Sequence, residues 1–176
     1  DWLQTAEVEY QELAAECDEV WVAGESMGGL LCLLLAARHP EIKGLLLYAP
    51  ALDVRKMRAA YVLQYVMKYL AKNIKKEELL WKGYNVYPLK GAVQLLKLQK
   101  EARKALGSVT QPTLAFFSEK DATVNLEASN LMKTKLGSQE LELETYLYFI
   151  TLSRIYTLLF LWQEFQEGEN FLQIRH

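Results

Sequence analysis

The sequence has 176 residues, of which 51% are apolar and 24% charged, enough for one domain with its own core. Its two cysteines, Cys17 and Cys32, make no disulfide framework, and neither of its two histidines lies near a cysteine, which argues against a metal site. The net charge of −2 hides an asymmetry: residues 54–106 hold 13 Lys or Arg against 3 acids, while the remainder holds 7 against 19, so one segment is set apart by its surface.

In chain order, Asp1 to Glu16 predicts a helix, with Leu3, Ala6, Tyr10, Leu13 and Cys17 on one stripe. This stretch is acidic and has no apolar core of the kind a signal peptide needs, so no leader is expected. Glu19 to Ala23 predicts a short strand, Gly24 to Gly29 a turn, and Leu30 to His39 a helix ended by Pro40. Cys32 falls in that apolar run and reads as a small buried hydrophobe, a usage that fits a reducing, cytoplasmic setting. Lys43 to Ala49 predicts a second strand, apolar throughout as a strand covered on both faces would be.

Residues 54–106 read as purely helical, with a first helix whose face is Ala59, Val62, Leu63, Val66 and Leu70. A break follows at 83–88, then a long helix from Lys90 to Leu106. Strand character returns at Thr113 to Phe117, a helix follows at Leu126 to Leu136, and Leu141 to Phe149 predicts a fourth strand. Tyr156 to Gln166 predicts a last helix. Tyr146 to Trp162 carries a single charge, Arg154, and reads as a buried strand end plus a helix, with a membrane-associated segment as the alternative; the longest unbroken apolar runs are far shorter than the roughly 20 residues of a membrane span. The alternation implies an α/β fold: a parallel sheet of about four strands with helices on both faces, interrupted by a helical cap at 54–106, with 1–53 and 107–176 as the core.

Gly24-Glu25-Ser26-Met27-Gly28 matches Gly-x-Ser-x-Gly, with a predicted strand running in and a predicted helix running out. That is the nucleophile-elbow arrangement: a sharp, strained turn lifts the Ser26 hydroxyl above the sheet, and Gly24 and Gly28 leave the space the turn needs. The Met27 N–H, opening the helix, is aimed where an oxyanion develops. Another reading of the same residues is a glycine-rich strand-to-helix turn without catalytic use.

The run "VWVAGESMGGLLCLLLAARHPEIKGLLLYAPALDV" and the run "QPTLAFFSEKDATVNLEASNLM" resemble the carboxylesterase and monoacylglycerol-lipase branch of the α/β-hydrolases. The resemblance covers roughly residues 1–145. It implies a serine ester hydrolase working through an acyl-enzyme on a carboxylic ester or acylglycerol, without cofactor, metal or nucleic-acid partner. It also implies that Asp121, in the turn Ser118-Glu119-Lys120-Asp121-Ala122-Thr123-Val124, is the triad acid, with Ser118 where relatives have glycine. Asp121 read alone is equally a helix-capping aspartate. The cap resembles the family through Trp81, Tyr84 and Tyr87, which the resemblance makes candidate substrate-lining residues.

Two departures stand out. Relatives carry the triad histidine just past the strand that follows the acid; here that stretch reads "YLYFITLS", and Tyr148 stands in the histidine's place. Tyrosine, with a pKa near 10, is a poor base at neutral pH. His39 reads as structural, and His176 is the last residue. In relatives an oxyanion-hole loop and further strands also precede the first helix, so the apolar edge Val20–Ala23 is expected to be uncovered and to promote self-association. These departures set the competing reading: an impaired member of the family that binds acyl ligands, or uses its basic cap against an anionic membrane surface. They also set the expectation that the chain hydrolyses an ester no faster than its Ser26→Ala variant.

Overall fold

The computed structural model describes residues 2–54, 57–71, 86–147 and 170–174. The chain opens with helix α1 (Trp2–Glu16), which packs Ala6 and Tyr10 inward, with Leu3, Leu13 and Cys17 beside them. Strand β1 (Val20–Glu25) runs directly into helix α2 (Met27–Arg38), and strand β2 (Gly44–Tyr48) follows. After segment 54–106 come β5 (Thr113–Ser118), α5 (Glu127–Lys135), β6 (Leu141–Tyr146) and β7 (Asn170–Ile174).

The main sheet has the order β6-β5-β2-β1-β7, and every neighbouring pair is parallel. Four of these strands lie where the apolar runs predict them. β2 is buried along its whole length, which accounts for its unbroken leucines. The side chains of the sheet alternate between two faces, as the period of two requires. Val20, Val22, Leu45, Leu47, Ala115 and Phe117 enter one large cluster with residues of α1, α2, α4 and α5, while Ala23, Leu46 and Tyr48 with Leu114 and Phe116 form a separate one. Helix α2 is apolar nearly all round, and Leu30 to Ala36 are all buried. Cys32 is fully enclosed there, and burial pushes its thiol up to about 12, so it is an inert packing group.

Two expectations are corrected. The sheet has a fifth strand: β7 pairs in parallel with β1, from Val20 opposite Asn170 to Gly24 opposite Ile174. The β1 edge is therefore occupied, and the self-association argued from an open edge loses its ground; sequence reading missed β7 because Asn170–Ile174 has no helix or turn signal tying it to a neighbour 150 residues earlier. Segment 54–106 is also not purely helical. A 3-10 turn (Met57–Ala59) and a one-turn helix α3 (Ala60–Leu63) lead to strand β3 (Tyr69–Ala71), which pairs antiparallel with β4 (Val86–Pro88). Aromatic and β-branched residues, Tyr69, Val86 and Tyr87, favour this extended pairing over continued helix. The pair is a separate two-stranded sheet and does not extend the main one. The long helix is found where expected, as α4 (Leu89–Ala105). The predicted helix at 156–166 lies outside the described residues.

Candidate active site

The turn between β1 and α2 positions Ser26. Its φ is 51° and ψ −109°, a backbone conformation that non-glycine residues rarely adopt. Two hydrogen bonds hold it there: the Ser26 N–H donates to the Tyr48 carbonyl at 2.8 Å, and the Ala51 N–H donates to the Ser26 carbonyl at 2.9 Å. A second positive φ, 40° at Ala49, lies in the same loop after β2. Gly24 is required by space: a Cβ there would stand 2.4 Å from the Gly28 carbonyl carbon and 2.7 Å from the Gly29 nitrogen, both backbone atoms that cannot step aside. Met27 is the first residue of α2, so its N–H has no carbonyl one turn back to bind. It and the positive end of the helix axis are available to an anion beside Ser26.

Asp121 lies in the turn after β5, at the same C-terminal end of the sheet as Ser26. Strands β1 and β5 are separated only by β2, which sets the two ends about 10 Å apart at two strand spacings. An imidazole fits in such a gap. The Oδ1 of Asp121 accepts the N–H groups of Thr123 at 2.6 Å and Val124 at 2.9 Å. Those bonds close a turn at 121–124 and do not cap α5, which begins at Glu127 after Leu126, so the helix-capping reading of Asp121 is not what the structure has; among the described residues they leave Oδ2 unengaged. Ser118, in the usual glycine position, is buried at the end of β5 and takes the side chain without disrupting the strand.

Glu25 belongs to this site although sequence reading did not single it out. Burial raises its carboxyl above the ordinary range, and the charge of Asp121 raises it further, so the two acids sense each other across the end of the sheet. The only signal in the sequence was its place between Gly24 and Ser26.

The candidate histidines do not join the cluster. His39 caps the far end of α2, a 12-residue helix and so about 18 Å from Ser26. Its ring is held between Glu7, through Nε2, and Glu41, through Nδ1 at 2.9 Å, with Tyr10 packed against it at a centroid distance of 4.4 Å. Burial pushes the Glu7 carboxyl up, but the hydrogen bond and charge of His39 and then of Arg38 outweigh it, leaving it below the usual range. His39 is thus a structural tether of α1 to α2. Tyr148 and His176 lie outside the described residues, as do Trp81 and Tyr84. Tyr87 is described, and with Leu63, Leu70 and Leu89 it lines an apolar cavity of about 230 Å³, which Val54, Ala122 and Thr123 also line. The cavity therefore abuts the Asp121 turn. No group of metal-ligating side chains occurs among the described residues.

Residues 3–85 match the family described as serine aminopeptidase, S33. The chain is 27% identical over 147 residues to a thermostable monoacylglycerol lipase from Bacillus sp. (strain H-257), covering 81% of this chain and 59% of that protein. It thus spans well under two thirds of the length of the curated relative it matches. Among solved structures, a metagenome-derived lipolytic enzyme of the LipS and LipT study superposes with a TM-score of 0.75 at 23% identity, over 92% of this chain and 72% of that one. The monoacylglycerol lipase of Paleococcus ferrophilus gives 0.71 at 16% identity, over 91% and 72%. The chain has the fold of these α/β-hydrolases.

Proposed function

We propose that this chain is built for hydrolysis of carboxylic esters of the acylglycerol or simple ester class, with Ser26 as nucleophile. The observation that carries this reading is the strained Ser26 at the head of α2, locked from both sides by the loop after β2. In the proposed reaction the Ser26 hydroxyl attacks the ester carbonyl while a base takes its proton. The oxyanion is stabilised by the Met27 N–H and the end of α2. Collapse expels the alcohol, which receives the proton, and leaves an acyl-enzyme; water then releases the acid by the same steps in reverse. Asp121 is the acid that orients the base, and Tyr87 and its neighbours in the cavity take the acyl chain. The described residues contain one histidine, His39, and it is committed elsewhere. Loss of a triad base typically costs about four to six orders of magnitude.

The test is therefore chemical rescue. Hydrolysis of p-nitrophenyl butyrate is measured for the chain and for Ser26→Ala, with and without 100 mM imidazole. Without imidazole the two are expected to match; with it, only the Ser26 chain gains. Identical rates in both conditions would remove the reading. A Ser26-dependent rate without imidazole that His176→Ala abolishes would assign the base to His176.

The cap supplies the partner. Val62, Tyr65 and Val66 are 71%, 85% and 82% exposed, and Leu70 and Tyr87, also exposed, border the apolar cavity. Large exposed apolar side chains on a segment with 13 basic residues suit the surface of an anionic lipid layer, from which an acylglycerol would enter.

A further inference from the structure

Nucleophile and acid sit on different strands, so something must hold their separation. The short segment Ala51 to Val54, after β2, touches both. At one end, the Ala51 N–H donates to the Ser26 carbonyl at 2.9 Å. At the other, Val54 forms an antiparallel bridge with Val124, whose N–H donates to Asp121 Oδ1 at 2.9 Å. Asp53 fastens this segment to the acid turn: its carbonyl accepts the Asn125 N–H at 2.9 Å, and its Oδ2 accepts Asn125 Nδ2 at 2.6 Å. Its other oxygen, Oδ1, accepts Arg103 Nη2 at 2.7 Å, while Arg103 Nε donates to the Leu52 carbonyl at 2.5 Å. Gln99, buried one turn earlier on α4, donates to the Ala51 carbonyl at 2.7 Å.

From this geometry we propose that Asp53 is the positioning residue of the site: with Arg103 and Asn125 it fixes the Asp121 turn relative to Ser26. Both its oxygens are engaged, so it does not act as the acid. The ion pair is only about one-third exposed on either side, and removing one partner leaves the other charge half-buried and unpaired. The clamp also fastens the site to α4, the helix by which the chain returns from the cap, so the cap and the acid turn are anchored at one point. The proposal rests on Asp121 being the acid, as set out above.

The test compares Asp53→Ala, Asp53→Asn and Asn125→Ala by amide hydrogen exchange, with imidazole-supported hydrolysis as a second readout. Asp53→Ala is expected to speed exchange at Thr123 and Val124 about tenfold, with Ala115 and Phe117 in β5 changed by less than about twofold. Asn125→Ala, which cuts only the turn side and leaves the Arg103 pair intact, is expected to give the same local signature. Asp53→Asn keeps one acceptor oxygen for Arg103 but turns an NH2 group toward Asn125 Nδ2, so it is expected to loosen the turn no more than Asn125→Ala does. In hydrolysis, Asp53→Ala is expected to lower kcat with KM unchanged. Unchanged exchange at Thr123 and Val124 in Asp53→Ala, a rise that β5 shares equally, or parental exchange there in Asn125→Ala would overturn the proposal. Local loosening in a chain that shows no Ser26-dependent hydrolysis would leave the clamp standing and defeat the ester-hydrolase reading instead.

Discussion

At the scale of single residues, the site is an assembly of crowded and strained positions. Ser26 holds a positive φ between two backbone hydrogen bonds, and the Gly28 backbone fills the space that a Gly24 side chain would need. Glu25 is the neighbour whose chemistry is tuned in the opposite sense to an ordinary ion pair. Its carboxyl is raised in the folded chain, by burial first and Asp121 second, so folding favours its protonated form. Its contribution to stability is therefore fully present below its unfolded pKa, near 4.3, and is lost as the pH rises through the folded value. Glu25→Gln is expected to melt higher than the parent at pH 7, with the gap closing below about pH 4. A gap that widens on acidification would contradict this. Gly24, Ser26 and Gly28 were legible in the sequence because a five-residue motif states its own geometry. Asp53, Arg103 and Asn125 were not, since partners 50 and 72 residues apart carry no spacing signal.

At the scale of elements, α2 and the cap sit at opposite extremes. The leucine-rich α2 is enclosed by β1, β2, α1 and α4, and its apolar run announced that burial. The cap segment announced its charge but not its shape. Ala59, Val62, Leu63, Val66 and Leu70 read as a helix face, yet β3 took Leu70 into an extended pair with β4, and Val62, Tyr65 and Val66 are left at the surface. Periodicity cannot tell a buried stripe from one that faces out, and the cap is where that ambiguity is greatest. If this surface meets lipid, binding to vesicles should rise with anionic lipid content and fall with salt. Val66→Glu is expected to weaken it at least as much as Lys68→Glu, since both apolar contact and charge contribute. Equal binding to neutral and anionic vesicles would remove the electrostatic part of the idea.

At the scale of the whole molecule, the sheet is asymmetric in its defences. Its β6 edge carries Glu142 and Glu144 and is half-exposed, which discourages pairing with another chain. The β1 side has no such charges: Val20, Trp21, Val22 and Ala23 are all buried, and β7 alone completes their ladder. A chain ended after Leu147 removes that cover. It is expected to self-associate at tens of micromolar in sedimentation, where the full chain stays monomeric. A monomeric truncated chain would show that β7 is dispensable. The parallel order of β1, β2, β5 and β6 was legible because each is a local apolar run; the fifth strand was not, because its partner lies at the other end of the sequence.

That long-range pairing has a consequence for how the protein is made. β1 and β2 lie some 20 residues apart and can pair, with α2 packed on them, soon after both leave the ribosome. β7 arrives 150 residues after the strand it must join. At translation rates of about 5–20 residues per second, the interval is on the order of ten to thirty seconds. Until then the β1 groups that β7 takes up, flanked by Trp21 and two valines, are without that partner. The β1–β7 ladder therefore closes only after the whole intervening segment has been made, a late step for a pairing at the edge of the nucleophile strand.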